Sequence, residues 1–361
     1  MLEHPNKNVK PKNISERVYK VDPELVLKDE LTKKFGDRFL EYRKLYNELQ
    51  KSKKPDHIKL GYPLTINLEL VNRCNLECVM CYQGYRNDAN LSKFSDKTLD
   101  KMFADFKKNQ LSALMLSVSE PLLFKNIEKI LIKAKEAQIM DIFLFTNGAL
   151  LNDEKANMIL NNHVTRLFIS LDAATQKSYN EVRVPVAKRL LKENRLNYVE
   201  DNIVKFIKKR DEKKSKLPLV RVSFVILDKN KHEIEEFKDK WTNIVDSIDF
   251  QVERPVELFE SVKDNDFSTQ EINDDKDYDC SKPWSELCIY ADGSVSPCCA
   301  FIGRKIPLAN VNEYSVKEIW DNQNMKKVRE GIENNSPVKA CDLCLKSEKI
   351  IAQKGKSELS N

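Results

Sequence analysis

The segment CNLECVMC, residues 74–81, places three cysteines at i, i+4 and i+7 in a chain that holds nine. On a helix that spacing would put all three on one face, where free cysteine packs as a small hydrophobe. The surroundings oppose a helix. Asn72, Arg73, Asn75 and Glu77 make the segment polar, and it follows an apolar, β-branched run, LTINLEL at 64–70. The segment therefore reads as a loop of ligands behind a strand. A structural zinc site closes its tetrahedron with four ligands, and no fourth Cys or His lies nearby in sequence. Three thiolates in one short loop suit a [4Fe–4S] cluster in which one iron stays open for chemistry.

The strand before this loop is the first of six similar runs. The others are ALMLSV (113–118), DIFLF (141–145), TRLFISL (165–171), LVRVSFVI (219–226) and SIDFQV (247–252). Amphipathic stretches separate them, among them SDKTLDKMFADFKK, with Ser95 or Asp96 as its cap, and NIEKILIKAKEAQ. Alternation of this kind predicts βα units and a parallel sheet over residues 61–260. Residues 1–60 read as an N-terminal helical extension, with one helix across 31–54 burying Phe35, Leu40, Leu45 and Leu49. The polar stretch 261–279 has the composition of a linker. A smaller α+β domain is expected at 270–350, with a hairpin turning at Asp292-Gly293, and a tail at 351–361.

The chain has 361 residues, is 41% hydrophobic and has a net charge of +5 from 61 basic and 56 acidic side chains. No apolar run approaches the ~18 residues of a membrane helix, and MLEHPNKNVKPKN lacks the pattern of a secretory signal. A cytoplasmic protein without a membrane partner is expected. An odd number of cysteines argues against a disulfide framework. The two charge signs are mixed, with no basic groove interleaved with aromatics, so no nucleic-acid partner is expected.

With Met80 beside its last cysteine, CNLECVMC resembles the C-x3-C-x-Φ-C signature of radical S-adenosylmethionine (radical SAM) enzymes. The resemblance implies a partial (β/α)6 TIM-like barrel with functional groups at the C-terminal strand ends. It implies SAM chelated at the open iron and cleaved, by one electron from a flavodoxin or ferredoxin-like donor, to a 5′-deoxyadenosyl radical that abstracts hydrogen from substrate. SVSEP (117–121) resembles the family's GGEP motif through Ser119, Glu120 and Pro121, though Ser117 and Val118 depart from its glycines. FTNG offers Thr146 and Asn147 to the cofactor. SLDAA and YNEVR resemble an SLDG…R arrangement in which Ser170 and Asp172 line the SAM pocket and Arg183 pairs with the SAM carboxylate.

Cys280, Cys288, Cys298, Cys299, Cys341 and Cys344 follow the linker. CDLC at 341–344 would suit a zinc ribbon. The wider context, CSKPWSELCIYADGSVSPCC with LANVNEYSVKEIW and CDLC, resembles the auxiliary-cluster domains called SPASM and their short form, twitch. That resemblance implies a second [4Fe–4S] cluster on Cys280, Cys298, Cys341 and Cys344, with Cys299 the alternative to Cys298. Cys288 reads as a packed strand residue.

The expected activity is that of a radical SAM oxidoreductase, dehydrogenating or epimerising a small polar, sugar-like or cyclitol substrate. The alternatives are a peptide-modifying maturase or epimerase and, from another class, a non-catalytic iron–sulfur or zinc redox sensor. Glu253 and Arg254, just past the sixth run, are the candidate catalytic residues, with Tyr82 and Tyr85 as further substrate contacts.

Overall fold

A computed structural model describes residues 15–52, 55, 57–85, 93–187, 195–269 and 280–358. The six expected runs are strands β2 (Thr65–Leu68), β3 (Ala113–Leu116), β4 (Asp141–Thr146), β5 (Arg166–Ser170), β6 (Leu219–Ile226) and β7 (Ser247–Val252). They pair in parallel and in chain order, as a partial barrel built from βα units should. Side chains alternate across each strand. Ile66, Leu68, Leu114, Leu144, Ile169 and Phe224 belong to the core under the outer helices. On the opposite face, Phe168 meets the rings of Phe143 and Phe145 at 5.8 and 4.9 Å.

The connecting helices form where the apolar period predicts. In α3 (Asp96–Lys108) Leu99, Met102, Phe103 and Phe106 make the buried stripe, and Ser95 Oγ accepts the Thr98 N–H at 3.0 Å as N-cap. The other helices of this layer are α4 (Ile127–Glu136), α5 (Asp153–Asn161), α6 (Gln176–Val182), α7 (Arg195–Glu212) and α8 (Ile234–Trp241).

The N-terminal extension differs from expectation. Its single predicted helix is two, α1 (Pro23–Phe35) and α2 (Asp37–Lys51), because Gly36 takes a left-handed backbone with φ 57°. The break resets the helical phase, so the buried stripe is Leu27, Leu31, Phe39, Tyr42 and Leu49, while Leu40 lies at the surface. Before them runs a strand, β1 (Ser15–Tyr19), antiparallel to β7 on the barrel's edge.

At the other edge the C-terminal segment continues the same sheet. Strand β8 (Glu286–Ile289) pairs in parallel with β2, then turns through Gly293 (φ 85°) into β9 (Ser294–Ser296), and β10 (Ala309–Asn310) follows. A Cβ at Gly293 would stand 2.4 Å from Asn310 Oδ1, so the turn requires glycine. Helices α9 (Val316–Trp320), α10 (Gln323–Glu333) and α11 (Lys339–Glu358) complete the chain. Most of the segment expected as a tail thus continues α11. Residues 270–279 of the expected linker lie outside the described residues, as do 359–361.

Candidate active site and cluster centres

A cavity of about 1050 Å³ lies at the C-terminal ends of the barrel strands, bounded on its far side by the C-terminal segment. Both cysteine sets border it: Cys74, Cys78 and Cys81 from the loop behind β2, and Cys280, Cys298, Cys299, Cys341 and Cys344 opposite. Residues distant in sequence meet because β2 sits between β3 and β8 in the sheet.

Hydrogen-bond donors face the first set. Asn147 Nδ2 lies 3.8 Å from Cys74 Sγ and donates to Asn75 Oδ1 at 2.7 Å, holding the loop's first turn. Arg183 Nη1 lies 3.3 Å from Cys78 Sγ. Burial pushes the Cys74 thiol up to about 12 and raises Cys78, the latter opposed by Arg183. Protons must leave these thiols for metal to bind, and the two donors stabilise the charge that appears. Arg183 Nε is buried without a hydrogen-bond partner.

Glu120 is buried and its carboxylate is already engaged. Oε1 accepts from Thr146 Oγ1 at 2.8 Å and from the Leu122 N–H at 3.2 Å, and Oε2 accepts the Asn147 N–H at 2.8 Å. Burial pushes it up to about 7 against those bonds. Glu120 thereby fixes Thr146 and Asn147 at the mouth of β4. The preceding Val118 has φ 80°, the left-handed backbone that the family's glycine would adopt freely.

Met80, Ser119, Glu120, Thr146, Asn147, Ser170 and Arg183 all border the cavity. Asp172 does not. It is fully buried, forms an ion pair with Arg183, and accepts the Val225 N–H at 2.8 Å. Its place is behind the wall, aiming Arg183. Of the two candidate catalytic residues Arg254 borders the cavity and Glu253 does not. Arg254 is drawn into an ion pair with Glu348 of α11, which ties the end of β7 to the helix that carries Cys341 and Cys344. Tyr82 borders the cavity and its ring meets that of Phe259 at 5.9 Å in a tilted contact; the side chain of Tyr85 lies outside the described set.

In the second set, burial raises Cys298 and Cys341 and pushes Cys344 up to about 12, and each of the three feels Cys280. Cys299 also borders the cavity, and Cys280 is not among the main groups that act on it. Burial pushes it up to about 11, and its neighbours are Glu286, Lys282 (Nζ 3.8 Å from Sγ) and Arg254. Cys288 is fully buried in β8. Among the described residues no group of three or more His, Cys, Asp or Glu side chains is close enough to hold a single metal ion. The thiols border the cavity, and thiolates are the ligands an iron–sulfur cluster takes.

Sequence reasoning missed Gln83, Lys282, Glu348 and Arg17, all on the cavity wall. It also missed Glu69, whose signal was legible: a carboxylate inside an apolar strand run requires a partner.

This geometry defines a barrel enzyme whose strand ends carry one three-cysteine site and whose C-terminal segment carries another thiol cluster. The family model of the radical SAM superfamily matches residues 68–240, and that of the SPASM iron–sulfur cluster-binding domain matches residues 280–345. The chain belongs to the radical SAM superfamily, carries a C-terminal auxiliary-cluster domain, and is an enzyme whose domains imply [4Fe–4S] clusters and SAM as cofactors. A probable GTP 3′,8-cyclase of Methanococcus vannielii is 30% identical over 118 residues, 33% of this chain and 39% of the relative. The match thus spans about two fifths of that curated relative's length. Among solved structures, Streptococcus suis SuiB bound to S-adenosylmethionine superposes with TM-score 0.54 at 17% identity, covering 80% of this chain and 71% of SuiB. Native anSMEcpe with bound AdoMet and Cp18Cys peptide gives 0.52 at 16% identity, covering 73% and 81%. Among the described residues no helix is long and apolar enough to cross a membrane.

Proposed function

We propose that this enzyme oxidises or epimerises a small, polar, hydroxyl-bearing substrate in the cavity between its two cysteine sets. The observation that carries the reading is the wall itself: one chamber of about 1050 Å³ is bordered by both thiol sets and by Arg17, Gln50, Gln251, Lys282 and Glu348. Cys74, Cys78 and Cys81 would hold the catalytic cluster, with Asn147 and Arg183 donating toward it. Met80, Ser119, Thr146, Asn147, Ser170 and Arg183 would border SAM. When bound, the cluster and SAM supply a hydrogen-abstracting radical. Cys280, Cys298, Cys341 and Cys344 would hold one auxiliary cluster with no open iron, suited to exchanging the substrate's electron, and a flavodoxin or ferredoxin-like protein would supply the reductant. Arg183, held by Asp172, orients toward Cys78, and Glu120 holds Thr146 and Asn147 in place.

The relatives named as GTP 3′,8-cyclases act, by that name, on a small ribose-bearing molecule, which favours the small-molecule reading over a peptide. The peptide seen with anSMEcpe belongs to a protein that shares the fold alone at 16% identity.

The test is anaerobic reconstitution of the wild type and of Cys74→Ala/Cys78→Ala/Cys81→Ala, each assayed for iron and for 5′-deoxyadenosine from SAM and dithionite. Iron falling from about eight to about four per chain with loss of cleavage supports the assignment. A wild type that leaves SAM intact refutes it. Cleavage stimulated by amino sugars, cyclitols or nucleotides supports the substrate class, and stimulation by short peptides alone overturns it.

A further inference from the structure

Glu69 follows β2 directly, and its side chain is wholly buried. Its two oxygens serve different parts of the chain. Oε1 accepts from Ser119 Oγ at 2.8 Å. Ser119 Oγ in turn accepts from Gln83 Nε2 at 2.9 Å, and the same Nε2 reaches the Val118 carbonyl at 2.5 Å. Oε2 accepts the Ala291 N–H of the C-terminal hairpin at 3.2 Å and pairs with Arg304 at 3.7 Å. Arg304 lies 4.2 Å over the Tyr290 ring, pairs with Asp292 at 3.1 Å, and sits in the turn that follows Cys298 and Cys299.

Two further observations give this contact a purpose. Val118 holds a left-handed backbone, φ 80°, that a β-branched residue keeps only where its surroundings impose it. The bonds from Gln83 to Val118 and Ser119, and from Ser119 to Glu69, are that imposition. Moreover, a buried carboxylate–arginine pair gains little stability over an apolar contact of similar shape. What it specifies is relative position.

We propose that Glu69 is a positioning residue coupling the two halves of the site, so that the loop 117–120 on the SAM side keeps its shape only while the auxiliary-cluster hairpin is seated through Arg304. The proposal rests on Ser119 bordering SAM and on Glu120 holding Thr146 and Asn147, which border it too. In it, a change at Arg304, on the C-terminal side, is transmitted through one carboxylate to the affinity for SAM.

The experiment measures SAM dissociation constants by equilibrium dialysis on the full chain, reconstituted with both clusters. The proteins are wild type, Glu69→Gln, Arg304→Gln, the double variant and Arg304→Lys. Coupling of this kind is typically 5- to 150-fold. Arg304→Gln is expected to weaken SAM binding about tenfold, Glu69→Gln by a similar factor, and the double variant no further. Arg304→Lys restores most of the affinity, which a merely collapsed fold would not allow. Should Glu69→Gln fail to fold, Ser119→Ala replaces it: once that link is cut, adding Arg304→Gln has no further effect. SAM affinity within about twofold of wild type in Arg304→Gln, or factors that multiply independently, overturns the coupling alone. A reconstituted wild type that fails to bind SAM overturns both the coupling and the function on which it rests.

Discussion

Asp172→Asn removes one charge from the buried pair that aims Arg183 at the cluster loop. The Asp172 side chain has no exposed surface and that of Arg183 is 10% exposed, so the pair lies outside the solvated class worth ~0–1 kcal/mol. Deleting one partner of a buried pair costs ~3–5 kcal/mol, because the remaining ion has neither water nor counter-charge. Asparagine isolates that effect. It matches the size of aspartate, tolerates the φ of 59° at this position, and keeps an oxygen for the Val225 N–H, now 2.8 Å from Oδ1. Arg183 retains its contact with Cys78 at 3.3 Å, which places the expected loss at the low end, about 3 kcal/mol, or roughly a hundredfold in the unfolding equilibrium. Urea unfolding of the cluster-free chain at pH 7 under reducing, anaerobic conditions measures it, with an unchanged m-value showing that the unfolded state is not the cause. Arg183→Met added to Asp172→Asn removes both charges and should recover most of the loss. A loss under about 1 kcal/mol, or no recovery in the double variant, would refute the picture of an isolated buried pair and with it the role of Asp172 in positioning Arg183.

Gly148→Ala should destabilise by ~2 kcal/mol or more, since the position has φ 76° and a Cβ would stand 2.9 Å from Val199 Cγ1 and 3.1 Å from Ile169 Cγ2; a thermal midpoint within a degree of wild type would contradict the placement. Burial, reinforced by Lys34, pushes His163 down to about 4. Its neutral form is therefore the native one: the stability it contributes is complete above the unfolded pKa near 6.5 and is lost as pH falls toward 4. About 2 kcal/mol of the loss between pH 7 and pH 5 should disappear in His163→Gln, and equal slopes for the two proteins would count against the burial. In the second thiol set, Cys298→Ala should lower the iron content by about four per chain while Cys299→Ala leaves it unchanged; the reverse result would exchange the two assignments.

The barrel was legible because its strands are buried on both faces, so runs such as DIFLF and LVRVSFVI are mostly apolar, interrupted only by Asp141, Arg221 and Ser223, and stand out from the charged helices between them. The N-terminal strand was not, because SERVYK exposes Arg17, Tyr19 and Lys20 at the sheet edge and carries no apolar run. The same logic governs the site. Cys74, Cys78 and Cys81 announce themselves by spacing, which is a local property. Asp172 resembled a pocket residue for the same local reason, its place after a strand, and only the fold shows that its carboxylate turns toward Arg183 and the Val225 amide. Arg254 likewise sits where a substrate contact should be, but Glu348, 94 residues away, engages it. Val118 is the instructive exception: a β-branched residue stands where the resembled motif has glycine, yet its backbone is left-handed. Side-chain bonds from Gln83 and Ser119 supply from outside the loop what glycine would supply from within. A position that sequence alone leaves unremarkable therefore holds a left-handed backbone, supported by neighbours that a local pattern does not contain.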